Sequence, residues 1–130
     1  MKYRISLVVF YMILALSLPV SAAENGGAQS PTQSYFSALP DIPLMAGMDE
    51  VQDQTYVFDK AEGRVVGTAG FLSHKVNADP LKFYSNTLEA LGWKPLKHGV
   101  FTRNDEQLSV TTEKLSGGVL VRLQLSPHHP

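Results

Sequence analysis

The sequence predicts an α+β two-layer sandwich: one helix packed on a mainly antiparallel sheet of four or five strands, in the order ββαβββ. Three observations predict it. Only one stretch, Asp79 to Pro95 (DPLKFYSNTLEALGWKP), carries a helical period. The other patterned runs are β-branched or alternating and are joined by short turns, which makes antiparallel neighbours of them. A helix with one apolar face needs one sheet face to cover it.

The chain starts with Lys2 and Arg4, followed by an uncharged apolar run from Ile5 to Val20, a proline at Pro19 and the small residues Ser21 and Ala22. This is the layout of a secretory signal peptide over residues 1–23, cleaved near Ala22-Ala23. The alternative is an uncleaved N-terminal membrane anchor that tethers the domain. The run of about 16 residues is shorter than the roughly 20 that a span needs, and Pro19 beside a small-x-small site favours cleavage. Losing Lys2 and Arg4 leaves nine basic against twelve acidic residues, a mildly acidic chain with no pull toward nucleic acid. The chain has no cysteine, so it has neither disulfides nor thiolate chemistry and is held by packing alone.

Residues 24–34 are rich in Gly, Ser, Gln and Asn and read as a flexible leader. Residues 35–53 read as an extended apolar arm over the domain surface, because Pro40 and Pro43 remove ladder donors. The α+β domain is expected over residues 54–127, with a tail at 128–130. Thr55 to Asp59 and Arg64 to Leu72 form a hairpin about Lys60-Ala61-Glu62-Gly63. Gly67 and Gly70 inside the second strand point to a bulge or a close approach.

Asp79 is a good N-cap, and Pro80 fits the first helical position. Leu81, Tyr84, Leu88 and Leu91 make one apolar stripe. Gly92 takes the left-handed stop, and Trp93 packs back on the last turn. Burying the stripe is worth about 1.5–3 kcal/mol per side chain, so these residues are assigned to cohesion. Trp93 to Leu96 and Val100 to Arg103 read as one broken strand or a small hairpin. Gln107 to Glu113 turns Leu108 and Val110 inward. Val119 to Leu125 turns Val119, Val121, Leu123 and Leu125 to one face and Arg122 and Gln124 to the other.

Chemistry-bearing residues are sparse. His98 lies in a Lys-His-Gly turn and His74 in the connection to the helix; neither has a nucleophile motif beside it. His128-His129 lacks the spacing of a zinc site. Asp49, Glu50 and Asp53 lack the glycine of a calcium loop. Gly117-Gly118 is a hairpin loop, and no dinucleotide fingerprint occurs. No cofactor, metal or catalytic residue is therefore assigned. Ile42, Leu44, Met45 and Met48 are the candidate contact residues, since methionines suit adaptable surfaces. The arm either covers the domain's own sheet or docks on a partner, with the former favoured.

Three stretches together resemble a group of small uncharacterised exported bacterial proteins. They are the arm Asp41 to Met48 (DIPLMAGM), the hairpin Val57 to Arg64 (VFDKAEGR) and the helix end Phe83-Tyr84, Leu88, Leu91-Gly92-Trp93. The resemblance covers about Asp41 to Pro127 and implies a shared fold rather than a shared reaction. The functional expectation is a non-catalytic periplasmic module that binds another envelope protein or envelope component. The alternative is a small-ligand binder or enzyme whose groups meet only in three dimensions.

Overall fold

The computed structural model describes residues 32–129. The expected signal segment and most of the leader lie outside the described residues, as does Pro130. Within them the chain forms one antiparallel sheet of seven strands and one helix. The strands are β1 (Met48–Glu50), β2 (Tyr56–Lys60), β3 (Gly63–Ser73), β4 (Lys94–Lys97), β5 (Val100–Arg103), β6 (Glu106–Leu115) and β7 (Gly118–Pro127). The helix, α1 (Pro80–Ala90), falls between β3 and β4.

This corrects the expected ββαβββ order and its sheet of four or five strands. Three strands precede the helix and four follow it. The extra early strand is β1, at the end of the arm, where Met48, Asp49 and Glu50 pair with Leu72, Phe71 and Gly70. The extra late strand arises because the segment about Lys97-His98-Gly99 is a true hairpin, with Lys94 facing Thr102 and Pro95 facing Phe101. Both strands are short and carry no alternation of their own; β1 is defined by a distant partner and β4 by its hairpin neighbour β5.

The sheet runs β1-β3-β7-β6-β5-β4. β2 shares the outer side of β3 with β1, and a 3-10 turn at Gln52–Gln54 separates the two. Val51 N–H still donates to Ala69 C=O across this interruption. β3, β7 and β6 form the centre, with eight and ten registered pairs.

α1 begins as the sequence requires. The Asp79 carboxylate accepts from the amides of Leu81 and Lys82, and Pro80 occupies the first turn. It also ends as expected: Trp93 N–H donates to Leu88 C=O, Gly92 N–H donates to Glu89 C=O, and Gly92 has φ 88°. That is the paired bonding of a Schellman cap. Tyr84 and Leu88 are buried, but Leu91 is 39% exposed, so the apolar stripe stops one turn earlier than its spacing implies.

The inner face of the sheet carries Val66, Leu108, Val110, Val121, Leu123 and Leu125, all buried. Two elements cover it, α1 and the arm, with Phe36, Leu39 and Ile42 essentially inaccessible. The arm folds back on itself. Tyr35 bridges Pro43, Phe36 N–H donates to Ile42 C=O, and Leu44 N–H donates to Ser34 C=O. Glu50 fastens it to the sheet. One of its carboxylate oxygens accepts from Ser37 N–H at 3.0 Å, from Ser37 Oγ at 2.8 Å and from Thr68 Oγ1 at 3.3 Å. Glu50→Ala is expected to cost about 1–3 kcal/mol, the range for charged hydrogen bonds, and to speed amide exchange in residues 36–45 before the rest of the sheet. Exchange read by mass spectrometry checks this.

Candidate functional site: the open face of the sheet

Strand alternation decides what the other face presents. Residues facing one another across a ladder share a side, so Tyr56, Gly67, Gln124 and Ser109 lie in one row. Arg122 and Thr111 lie in the next. Neither the helix nor the arm crosses these rows, since both lie against the opposite face.

A groove of about 140 Å³ follows them, lined by Gln54, Tyr56, Ser109, Thr111, Arg122 and Gln124. Gly67 has no side chain, and the Tyr56 ring takes the space above it. A Cβ there would lie 2.2 Å from the Tyr56 ring, so the ring lies down over the glycine. The close approach expected from Gly67 is this contact. Gly70 shows the same on the inner face, where Met48 Sδ would meet a Cβ at 2.4 Å.

Arg122 is held in place. Its guanidinium donates to Gln54 Oε1 and, at 3.0 Å, to Glu113 Oε2. These are charge-assisted bonds that fix the planar group along the groove wall. The lining therefore offers hydroxyl, amide and guanidinium groups with the Arg122 charge already paired. Beside it the Tyr56 and Phe58 rings lie 5.4 Å apart between centroids, tilted by 38°, and remain 41% and 58% exposed. Large exposed aromatics next to hydrogen-bonding groups are the composition of a contact surface.

The contact residues expected from the sequence lie elsewhere. Ile42, Met45 and Met48 are buried in the main core, and Leu44 packs against it. A hollow of about 260 Å³ lies between residues 32–34 and 44–48. Val66 and Leu120 do not share a face: Val66 pairs with Leu125 on the inner side and Leu120 with Phe71 on the outer, and both are buried.

The histidines are dispersed. His74 Nδ1 lies 2.8 Å from Gly117 C=O, tying the start of the helix connection to the β6–β7 turn. His98 is exposed in the β4–β5 turn. His128 N–H donates to Asp105 C=O. Asp49 and Asp53 are exposed, whereas Glu50 turns to the arm. Among the described residues no three His, Asp or Glu side chains gather as a metal site would require.

Sequence reasoning missed the groove because four segments, 54–56, 67–68, 109–111 and 122–124, build it. The available signal was the pair Arg122 and Gln124 on the polar side of β7, together with Tyr56 and Phe58 at alternate positions of β2. Only the register of β2 and β7 on β3 brings these onto one face, in neighbouring rows. No family model, curated protein or solved structure matches the chain.

Proposed function

We propose that the chain is a non-catalytic binding module of the cell envelope, and that it meets another envelope protein through the open face around Tyr56 and Phe58. One observation carries this reading. The sheet face left uncovered by the helix and the arm presents two exposed aromatic rings beside a groove of hydrogen-bonding side chains. Export rests on the basic start, apolar run and small-residue site of residues 1–23. A small-ligand site is less well supported, because the groove is smaller than the roughly 300–1,000 Å³ of typical ligand pockets.

A photo-crosslinking residue at Gln124, in the groove, tests the reading in cells. Glu89, exposed on the far side of α1, serves as the control position. A discrete protein adduct at Gln124 and none at Glu89 is the expected result. Failure to trap a partner at Gln124, or the same adducts at both positions, would overturn it.

A further inference from the structure

The two edges of the sheet are built differently. β4, at one edge, reads Lys94-Pro95-Leu96-Lys97. It has a lysine at each end, a proline that lacks an N–H, and a register irregularity between Pro95 and Lys97. These are the devices that block the addition of a further strand. β2, at the other edge, reads Tyr56-Val57-Phe58-Asp59-Lys60. It pairs with β3 over five residues without a break. Its first three side chains are apolar or aromatic and 41%, 53% and 58% exposed. No proline or bulge interrupts it, and its charges are confined to the last two positions.

We infer that β2 pairs with β2 of a second copy of this chain, antiparallel and centred on Val57, so that one sheet runs through both copies. The register follows from side-chain chemistry. Two identical strands related by a two-fold axis normal to the sheet must centre on a residue, because facing residues share a side. Centring on Asp59 sets two carboxylates against each other. Centring on Phe58 sets each Asp59 carboxylate against Val57. Centring on Val57 places Val57 against Val57, Tyr56 against Phe58 twice on the open face, and the Thr55 hydroxyl against the Asp59 carboxylate twice on the other. Apolar then meets apolar, polar meets polar, and no like charges oppose. Thr55 is extended, with φ −92° and ψ 129°, and takes part through its side chain, since its N–H donates to Gln52 C=O and its hydroxyl lies 3.1 Å from Thr68 Oγ1.

The pairing leaves both grooves open and brings four aromatic rings together between them. The contact spans five residues per copy, smaller than the roughly 1,200 Å² of a standard stable interface, so the dimer is weak and concentration-dependent. A dissociation constant on the order of 100 µM fits such a contact.

The absence of native cysteine makes the test direct. Facing residues of an antiparallel pair have Cα atoms about 4.5–5.5 Å apart, within reach of a disulfide. In the Val57 register the two copies of Asp59 lie about 13 Å apart along the strands. Val57→Cys is expected to form a covalent dimer at least about tenfold faster than Asp59→Cys, or than Leu96→Cys at the other edge. Sedimentation of the purified chain is expected to show a monomer–dimer equilibrium, and Val57→Lys to weaken it by about tenfold or more with an unchanged far-UV spectrum. A monomer at every concentration up to about 1 mM would overturn the inference, as would faster coupling at Asp59 or Leu96. These measurements use the purified chain alone, so their failure is separable from that of the envelope-partner reading.

Discussion

Replacing Tyr84 by alanine is expected to destabilise the domain by about 3–5 kcal/mol, the range for deleting a buried aromatic side chain. A domain of this size has a net stability of about 5–15 kcal/mol, so much of the population unfolds at the lower end. The size of the effect comes from the position of the ring. Tyr84 is fully buried, stands edge-on to Phe83 at 5.0 Å, and donates its hydroxyl proton to Pro43 C=O at 3.0 Å. It also touches Met48 Sδ at 3.6 Å. One side chain thus joins the helix, the arm and β1. Urea unfolding followed by the fluorescence of Trp93, the single and buried tryptophan, measures the change.

Tyr84→Phe separates the ring from its hydroxyl. It keeps the packing but leaves the Pro43 carbonyl without its donor, at a cost of about 1–3 kcal/mol. It also changes the response to alkali. Burial pushes the Tyr84 phenol well above its ordinary range. The folded state therefore holds this proton more tightly than the unfolded state does. The resulting stabilisation is complete below the ordinary tyrosine value near 10 and is lost as pH rises beyond it. Stability measured from pH 9 to 12 is expected to fall less steeply in Tyr84→Phe than in the parent.

The second large effect is expected at Gly118, where alanine should cost about 3 kcal/mol, the upper part of the range for overpacking. A Cβ at Gly118 would lie 2.1 Å from Leu72 C=O and 3.0 Å from the Phe71 ring. The carbonyl belongs to the backbone of β3, so relief requires β3 and β7 to part at the end of their ladder, where Gly118 faces Ser73. The neighbouring glycine is an internal control. A Cβ on Gly117 would meet only the Phe71 ring, at an ordinary 3.5 Å, and Gly117→Ala should stay within about 0.5 kcal/mol. Thermal unfolding of the two variants side by side tests the contrast.

The sequence pair Gly117-Gly118 reads as one loop, yet the two residues do different work: one turns, the other lets two strands touch. That contrast marks what was legible. Local grammar was read correctly: the Asp79 cap, the Gly92 stop, the β2–β3 hairpin and the alternation of β6 and β7 depend on residues a few positions apart. The strand count was only partly legible: β1 is defined by a partner 20 or more residues away, whereas the β4–β5 hairpin was one of two readings left open for its segment. The sequence places the arm over the domain's own sheet but does not show its depth in the core. Pro40, Pro43 and Gly47 signal irregular backbone, but irregular backbone can still deliver Phe36, Leu39 and Ile42 into a core. The groove was hidden most completely, since Gln54, Ser109, Thr111 and Arg122 meet only through the pairing of β2, β3, β7 and β6.

The central claim is that the arm is part of the core and that the opposite face of the sheet is the one left for other molecules. Amide hydrogen exchange resolved by NMR tests it most directly. The amides of Phe36, Leu39, Ile42 and Met48 each have a backbone acceptor, and three of these four side chains are almost completely buried. They are expected to exchange slowly, with opening free energies near those of the β7 amides. Exchange of all four at the rate of an unfolded chain, while β7 stays protected, would make the arm a separate segment and contradict the account.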